Sequence, residues 1–206
     1  MNGTKVILAS QSSARKALLQ QSGFTVIPIP TLTDESHSIK DPSEAAQTLA
    51  LRKLHVCLSR SGAFTFAVIA ADTIVSIDGT QIGKPADRNE AFSQLSLLQG
   101  RSHTVISGYA VFLPLSEKRG RIYCGCDEVT VRFFPLDESQ IESYLSTDEY
   151  IGAAGSYRIQ QRGKQLISSI SGDFSTVVGL PITKISAILE KPENFLYQEY
   201  PPNGEK

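Results

Sequence analysis

The stretch Phe66-Ala67-Val68-Ile69-Ala70, followed by Ala71-Asp72-Thr73, decides how this chain folds. The apolar run extends back to residue 63 with little interruption, which predicts a central strand covered on both faces. Asp72 comes at the end of the run, where α/β proteins place groups that face a ligand. A buried carboxylate needs a cation, a metal ion or hydrogen-bond donors, because unpaired burial costs several kcal/mol. The alternative is an aspartate that bonds the backbone of the next turn.

Alternating elements around this strand predict an α/β protein. Upstream, residues 5–9 form a strand-length apolar run, and residues 12–23 form a serine-capped helix closed by glycine. Asp41-Pro42-Ser43-Glu44 combines an N-cap residue, a first-turn proline and an acidic residue, which predicts a helix to about residue 60. Downstream, Asp78-Gly79 predicts a hairpin.

The second half of the chain predicts further strands and helices. Asp87 and Asp137 are each expected to cap a helix, and a last helix is expected to start near Pro181. Residues 104–113 and 121–133 are the longest β-type stretches, so we expect them to pair antiparallel.

Bulk composition indicates a globular protein with one core. Of its 206 residues, 41% are hydrophobic and 20% are charged, which is typical of folded domains. We expect a single domain over residues 1–190, followed by a polar, proline-rich tail over residues 191–206 that frays. The net charge of −1 gives no support for partners such as nucleic acid or anionic membranes. No apolar run approaches the ~20 residues of a membrane span.

The cysteines and the N-terminus indicate a cytoplasmic protein. Residues 5–9 are of strand length only and are followed by polar residues, which does not fit a secretory signal. The cysteines number three, and an odd count without a spaced framework fits a reducing cytosol. Cys124-Gly125-Cys126 resembles half of a metal site but lacks partners, so two thiols at a strand edge are the simpler interpretation.

Residues 10–16, Ser-Gln-Ser-Ser-Ala-Arg-Lys, place hydroxyl groups at the start of the first helix. The first N–H groups of a helix and its positive end form an anion site. Ser10 and Ser12 add hydroxyls there, and Arg15 adds a fork suited to phosphate oxygens. The alternative is an ordinary serine-capped helix with solvated basic residues. The Walker sequence G-x-x-x-x-G-K-[ST] is absent from the chain.

Three further charged residues are candidates for the same site. Lys84 stands between Gly83 and Pro85 on a short, stiff segment that suits a point charge directed at a phosphate. Lys53 lies on the otherwise apolar side of its helix, where a role in the site and simple snorkelling are both open. Glu35 is the nearest candidate to share a divalent ion with Asp72. The alternative is that Asp34-Glu35 belongs to an ordinary solvated loop.

One segment in the second half, residues 153–160, is dense in small and polar side chains. Gly155 permits close approach of the backbone to a ligand, and the amide of Gln160 can read a base edge. An ordinary loop that leads into a strand fits the same residues. His103 is expected to bond the backbone at the start of a strand rather than to act as a catalyst.

Eight short motifs, taken together and in order, resemble the Maf family of nucleoside triphosphate pyrophosphatases, the relatives of septum formation inhibitors. The resemblance covers about residues 6–190. The motifs are Leu8-Ala9-Ser10-Gln11-Ser12-Ser13-Ala14-Arg15, Asp34-Glu35-Ser36, Leu49-Ala50-Leu51-Arg52-Lys53, Ala71-Asp72-Thr73, Gly83-Lys84-Pro85, Gln99-Gly100-Arg101-Ser102-His103-Thr104-Val105, Ala154-Gly155-Ser156-Tyr157-Arg158-Ile159-Gln160 and Val178-Gly179-Leu180-Pro181.

The resemblance implies a fold, a reaction and a cofactor. The fold is α/β, with an elongated, twisted mixed β-sheet flanked by helices and two lobes around a central cleft, as in Maf/ITPase-like proteins. The reaction is hydrolysis of a nucleoside triphosphate to the monophosphate and pyrophosphate, with attack at the α-phosphorus. The cofactor is a divalent metal ion, Mg²⁺ or Mn²⁺, and the assembly is a homodimer.

The resemblance also implies roles for single residues. Asp72 is the general base or a metal ligand, and Glu35 helps to hold the metal. The triphosphate is surrounded by Ser10, Ser12, Arg15, Lys53 and Lys84. Thr73 and Gln160 contact the nucleoside.

Two departures from the family pattern bear on substrate choice. Ala14 stands where the family has an arginine, so Ala14, Thr73 and Gln160 are treated as specificity positions. Gln161 stands where a glycine is usual, whereas Gln160 matches the branch that resembles dTTP/UTP pyrophosphatases. Two alternatives stay open, a pyrophosphatase for modified nucleotides such as 7-methyl-GTP and a catalytically weak nucleotide-binding regulator of cell division.

Overall fold

Eight strands form one mixed β-sheet in the computed structural model, which describes residues 3–60, 64–116 and 119–201. The strands are β1 (Lys5–Leu8), β2 (Thr25–Pro28), β3 (Ala67–Ile77), β4 (Thr80–Ile82), β5 (Ser102–Pro114), β6 (Gly120–Phe133), β7 (Ile167–Ser171) and β8 (Gln198–Tyr200). The helices are α1 (Ser13–Gln21), α2 (Pro42–Arg60), α3 (Arg88–Leu98), α4 (Glu138–Leu145), α5 (Phe174–Val178) and α6 (Ile182–Glu190).

The sheet is mixed and has β3 near its centre. Its strand order is β2-β1-β3-β5-β6-β7, with β4 paired to β3 and β8 paired to β6. β1 runs parallel to β2 and β3, and the remaining pairs are antiparallel. The predicted α/β class, with a mixed sheet flanked by helices, is confirmed.

Local sequence signals set the helix starts and the long strand pair. Ser12 accepts a hydrogen bond from the N–H of Arg15 at 3.3 Å, and Asp87 accepts one from Glu90 at 2.8 Å, as N-cap side chains do. β5 and β6 pair antiparallel over 13 residue pairs, from Ser102–Arg132 to Pro114–Gly120, as predicted.

Side chains of β3 alternate between two differently covered faces of the sheet. Val68 and Ala70 pack in one cluster with Leu54 of α2. Ile69 and Ala71 pack on the other face in a cluster that includes residues of α1 and α6. Successive residues of β3 therefore reach two separate environments.

One edge of β3 is open in its middle. β1 pairs with β3 only as far as Leu8–Ile69, and β4 pairs only from Ile82–Val75 onward. Between these points residues 70–74 have no strand partner on this edge among the described residues. Asp72 and Thr73 lie in this unpaired stretch, on opposite faces of β3.

Two expectations need correction. Asp72 does not end its strand, because β3 continues to Ile77. The segment after residue 190 is not frayed as far as it is described, because β8 pairs with β6 and the ring of Tyr200 packs edge-on against Phe112 with centroids 5.6 Å apart. The short elements β7 and α5 were not resolved by sequence reasoning. The expected strand start near residue 63 and the tail beyond residue 201 lie outside the described residues.

Within the described ranges, none of the helices combines the length and apolar character that crossing a bilayer requires.

Candidate active site

A cleft of about 570 Å³ opens at the unpaired edge of β3. Nine of the ten residues singled out by sequence line it, namely Ser10, Ser12, Arg15, Glu35, Lys53, Asp72, Thr73, Lys84 and Gln160. The tenth, Ala14, precedes Arg15 on α1 and is not among the lining residues. The volume falls within the range of small-molecule sites.

A chain of ion pairs joins α2, β3 and two loops at the polar end of the cleft. Lys53 of α2 donates from Nζ to Asp72 Oδ1 at 2.5 Å and to Glu35 Oε1 at 2.7 Å. The second oxygen of Glu35 accepts from Lys84 Nζ at 2.5 Å. The side chains of Lys53 and Asp72 are each only 10% exposed. Lys53 is therefore a buried cation between two carboxylates, and the snorkelling alternative is wrong.

A glycine brings α2 close enough for this contact. Gly108 of β5 is the cross-strand neighbour of Asp72. A Cβ at Gly108 would lie 2.2 Å from the carbonyl oxygen of Ala46 and 2.5 Å from the backbone nitrogen of Gln47. The backbone of α2 thus rests directly on the sheet, and Lys53 reaches β3 from there.

Glu35 is held ionised by its two lysines. Burial opposes the ionised form, but the hydrogen bonds and charges of Lys53 and Lys84 outweigh burial and lower the pKa of Glu35 to about 2. Glu35 therefore stays anionic across the physiological pH range.

The guanidinium of Arg15 is engaged by protein acceptors. Nη1 donates to Ala71 O at 2.7 Å, Nε donates to Gly179 O at 2.8 Å and Nη2 donates to Thr73 Oγ1 at 3.0 Å. Burial lowers the pKa of Arg15, although nearby carboxylates oppose this effect. Arg15 therefore cross-links α1, the open stretch of β3 and the turn after α5. It does not present the free fork that the sequence suggested.

The hydroxyl of Ser10 keeps its proton for a ligand. Ser10 Oγ accepts from the N–H of Ser12 at 3.1 Å and, more loosely, from Arg15 Nη1 at 3.4 Å. A serine hydroxyl has two acceptor positions and one donor. No acceptor for this proton occurs among the described residues, so Ser10 is set to donate into the cleft.

The opposite end of the cleft is apolar. Val75, Val105 and Tyr157 line it, together with Val177 and Val178 of α5. A flat apolar ring fits such walls, whereas a charged group does not. The cleft thus offers one polar end and one apolar end.

Sequence reasoning missed several lining residues. Thr31, after β2, has no distinctive neighbours in the sequence, whereas Val105 is the last residue of one of the eight family motifs but was given no role. Tyr157 lies inside the family motif of residues 154–160, so the sequence did point to it. Its hydroxyl contacts His103 Nε2 at 2.8 Å, so the expectation that His103 bonds the backbone is wrong.

The carboxylates of the cleft are the candidate ligands of a metal ion. Among the described residues, no group of three or more His, Cys, Asp or Glu side chains is arranged to hold one. The carboxylates of Glu35 and Asp72 nevertheless converge on a single ammonium nitrogen, at a point where the site already stabilises a cation. Mg²⁺ is commonly bound by one or two carboxylates and substrate phosphates, so these residues fit a divalent ion.

The chain is similar in sequence to proteins of known family. A family model described as Maf-like protein matches residues 5–192. The dTTP/UTP pyrophosphatase of Symbiobacterium thermophilum is 42% identical over 187 residues, which cover 90% of this chain and 92% of that protein. The dTTP/UTP pyrophosphatase of Bacillus pumilus is 41% identical over 187 residues, covering 90% of this chain and 95% of that protein.

The chain also shares its fold with a protein of much lower sequence identity. The solved structure of the Staphylococcus aureus Ham1 protein matches with a TM-score of 0.50 and 13% identity, covering 92% of this chain and all of that one. At this identity the match shows the fold alone. The family model and the two relatives, each matched over nine-tenths of the chain, establish that this chain belongs to the Maf family.

Proposed function

We propose that this chain is a nucleoside triphosphate pyrophosphatase that prefers dTTP and UTP. The observation that carries the proposal is the buried pair of Lys53 and Asp72, which lies in one cleft with free hydrogen-bond donors and an apolar pocket. The names of the related proteins support the substrate class.

The polar end of the cleft suits the triphosphate. Ser10 has a proton to donate to a phosphate oxygen, and the N-terminal N–H groups of α1 begin beside it. Lys53 and Lys84 supply positive charge that offsets the developing charge on the leaving pyrophosphate. Arg15 donates hydrogen bonds to the backbone of Ala71 and Gly179 and adds positive charge to the same cleft.

Asp72 suits the general base. When phosphate oxygens compete for the ammonium groups, Lys53 releases Asp72, whose carboxylate then accepts a proton from the attacking water. The water oxygen bonds to the α-phosphorus as the bond from that phosphorus to the bridging oxygen breaks. The electron pair leaves with pyrophosphate, and the nucleoside monophosphate remains.

Glu35 and Asp72 are the residues that would hold Mg²⁺ or Mn²⁺. A bound divalent ion supplies positive charge that offsets the triphosphate and polarises its oxygens. Lys53 occupies the same position between the carboxylates, so it holds them in place until substrate binds.

A nucleotide panel with Mg²⁺ tests the proposal. Purified protein is expected to release pyrophosphate and monophosphate, with dTTP and UTP turned over faster than 7-methyl-GTP and ITP. Release of diphosphate and orthophosphate instead would show that attack does not occur at the α-phosphorus.

We also propose a cytoplasmic location, a homodimer and a single domain that includes β8. The three free cysteines support the location. The family resemblance supports the dimer, and the pairing of β8 with β6 supports the single domain.

A further inference from the structure

Hydrogen-bonded hydroxyl groups lie in a row beside the apolar end of the cleft. Thr73 Oγ1 is 2.9 Å from Ser107 Oγ, and Ser107 Oγ donates to the carbonyl oxygen of Thr176 at 2.8 Å. The hydroxyl of Thr176 donates in turn to Asp127 Oδ2 at 2.7 Å. Ser107 and Thr176 are fully buried, whereas Thr73 reaches the cleft.

The direction of each bond in this row is fixed by elementary counting. A serine hydroxyl has one proton, and a carbonyl oxygen can only accept. Because the proton of Ser107 is used by the carbonyl of Thr176, Ser107 has none left for Thr73. The proton between Thr73 and Ser107 therefore belongs to Thr73.

Thr73 also accepts a bond from the opposite side. Arg15 Nη2 donates to Thr73 Oγ1 at 3.0 Å, which uses one of the two acceptor positions of this hydroxyl. Its proton and one lone pair are thus both engaged by the protein. The hydrogen-bonding capacity left for a ligand is a single acceptor position.

This makes Thr73 the opposite of Ser10. Ser10 accepts twice and keeps a proton, so it suits an unprotonated phosphate oxygen. Thr73 has only a lone pair to offer, and a phosphate oxygen beside it would be repelled. The ligand atom that meets Thr73 must carry a hydrogen, as do the hydroxyls of a sugar and the imide N–H of uracil and thymine.

We propose that Ser107 is a positioning residue that sets nucleoside selectivity without touching the substrate. It holds the hydroxyl of Thr73 as an acceptor, so that the cleft favours nucleosides that present an N–H or O–H donor there. The inference rests on the proposed function and refines its substrate class.

Replacement of Ser107 by alanine tests this role. The change frees the proton of Thr73, whose hydroxyl can then donate as well as accept. Two substrate pairs report on it, since each replaces a donor by an acceptor. UTP and CTP differ in this way at ring position 3, and UTP and its 3′-O-methyl ether differ at the sugar.

In one of these pairs, the wild-type preference for the donor-bearing substrate, measured as a ratio of kcat/KM, is expected to fall about three- to tenfold in Ser107→Ala. A fall in the UTP-to-CTP ratio identifies the imide N–H as the donor, and a fall in the ratio of UTP to its 3′-O-methyl ether identifies the sugar hydroxyl. If both ratios stay within twofold of wild type while the variant is folded, the inference is wrong.

Matched variants separate selectivity from stability. Ser76 of β3 is also a buried serine, and it does not line the cleft. Ser76→Ala should therefore keep the wild-type ratios. Ser107→Cys offers a group of similar size that donates poorly, and it should shift the ratios in the same direction if the alanine variant does not fold. Thermal unfolding of each variant establishes that it is folded.

Pyrophosphate release by the wild type tests the proposed function separately. If the wild type releases none, the same ratios are measured as dissociation constants by calorimetry with the same nucleotides. Ratios that are equal in wild type and Ser107→Ala overturn the inference by either measurement. A wild type that binds none of the nucleotides overturns the inference and the proposed function together.

Discussion

Lys53 Nζ lies 2.5 Å from Asp72 Oδ1, which joins a cation on α2 and a carboxylate on β3 in one buried pair. The same ammonium also holds Glu35 at 2.7 Å. Replacement of Asp72 therefore leaves Lys53 paired with Glu35, whereas replacement of Lys53 removes the cation from both carboxylates. The two changes are expected to have different effects.

Asp72→Asn should abolish pyrophosphate release while the protein stays folded. The amide has the shape of the carboxylate but cannot take a proton from water, so we expect a loss of about 10²–10⁴-fold in kcat. Lys53 keeps its bond to Glu35, which limits the loss of stability. Pyrophosphate assay and thermal unfolding measure the two effects.

Asp78→Asn is the matched control for that change. Asp78 lies at the hairpin turn after β3, is exposed and pairs with Arg101 at 2.5 Å, away from the cleft. Activity should stay at the wild-type level. Equal losses in both variants would contradict a special role for Asp72.

Lys53→Met should bind Mn²⁺ more tightly than the wild type in the absence of nucleotide. The wild-type ammonium competes for the oxygens of Asp72 and Glu35, and methionine does not. Pyrophosphate release should fall by about 10²–10³-fold, because a buried positive charge is lost from the polar end of the cleft. Calorimetric titration with MnCl₂ measures the affinity.

Lys84→Met serves as the comparison for the metal titration. Lys84 is half exposed and contacts Glu35 alone of the two carboxylates, so its removal should raise the Mn²⁺ affinity less. An unchanged affinity in Lys53→Met would show that the ammonium does not stand where a metal binds.

Gly108→Ala should weaken both stability and activity. Its Cβ would lie 2.2 Å from the carbonyl oxygen of Ala46, so α2 must move away from the sheet and carry Lys53 with it. Overpacking of this kind costs about 1–3 kcal/mol of the free energy of unfolding. Urea unfolding and the pyrophosphate assay measure the two losses. Gly83→Ala, where no heavy atom lies within 4 Å of the added Cβ, should change stability little.

His103 should make the protein sensitive to mild acid. Burial lowers the pKa of His103 from 6.5 to about 4, so the unfolded chain binds the proton first as the pH falls. Stability is therefore lost progressively between about pH 6.5 and pH 4, with a slope that approaches about 1.4 kcal/mol per pH unit. Urea unfolding at a series of pH values measures this slope.

The variant His103→Gln removes this titration but keeps a polar group near Tyr157. Its free energy of unfolding should fall less steeply than that of the wild type over the same pH interval. Parallel curves for the two proteins would show that His103 does not cause the slope.

Tyr200→Ala should destabilise the sheet although the residue lies close to the end of the chain. Its ring packs edge-on against Phe112, with centroids 5.6 Å apart, and β8 extends the pairing of β6. Loss of the aromatic contact costs about 1–2 kcal/mol, measured by urea unfolding. Leu196→Ala, at a side chain that is 95% exposed, should have no measurable effect.

Elements with strong local signals were predictable from the sequence. The caps at Ser12, Asp87 and Asp137 depend on residues within one turn, and the antiparallel pair β5–β6 depends on two long β-type stretches that are neighbours in the sequence. The sequence also predicted which residues share the site. Each motif alone is unspecific, but eight of them in one order indicate a family and therefore a common site.

The remaining features depend on contacts between distant parts of the chain. Arg15 meets Gly179, 164 residues away, and nothing local in the sequence indicates that its donors are engaged there. The pairing of β8 with β6 overrides the polar composition of its segment. The position of Asp72 within β3 was missed because an apolar run that stops marks a change of environment and not the end of a strand.

Asp72 and Thr73 are successive residues of β3 and therefore face opposite sides of the sheet. Deletion of one residue earlier in this strand would exchange the two, and would present a threonine to Lys53 and a carboxylate to the apolar pocket. The number of residues before Asp72 thus fixes both environments at once, whereas a substitution on one face of β3 leaves the residues of the other face in place. Base preference and hydrolytic chemistry can for this reason evolve as separate traits along a single strand.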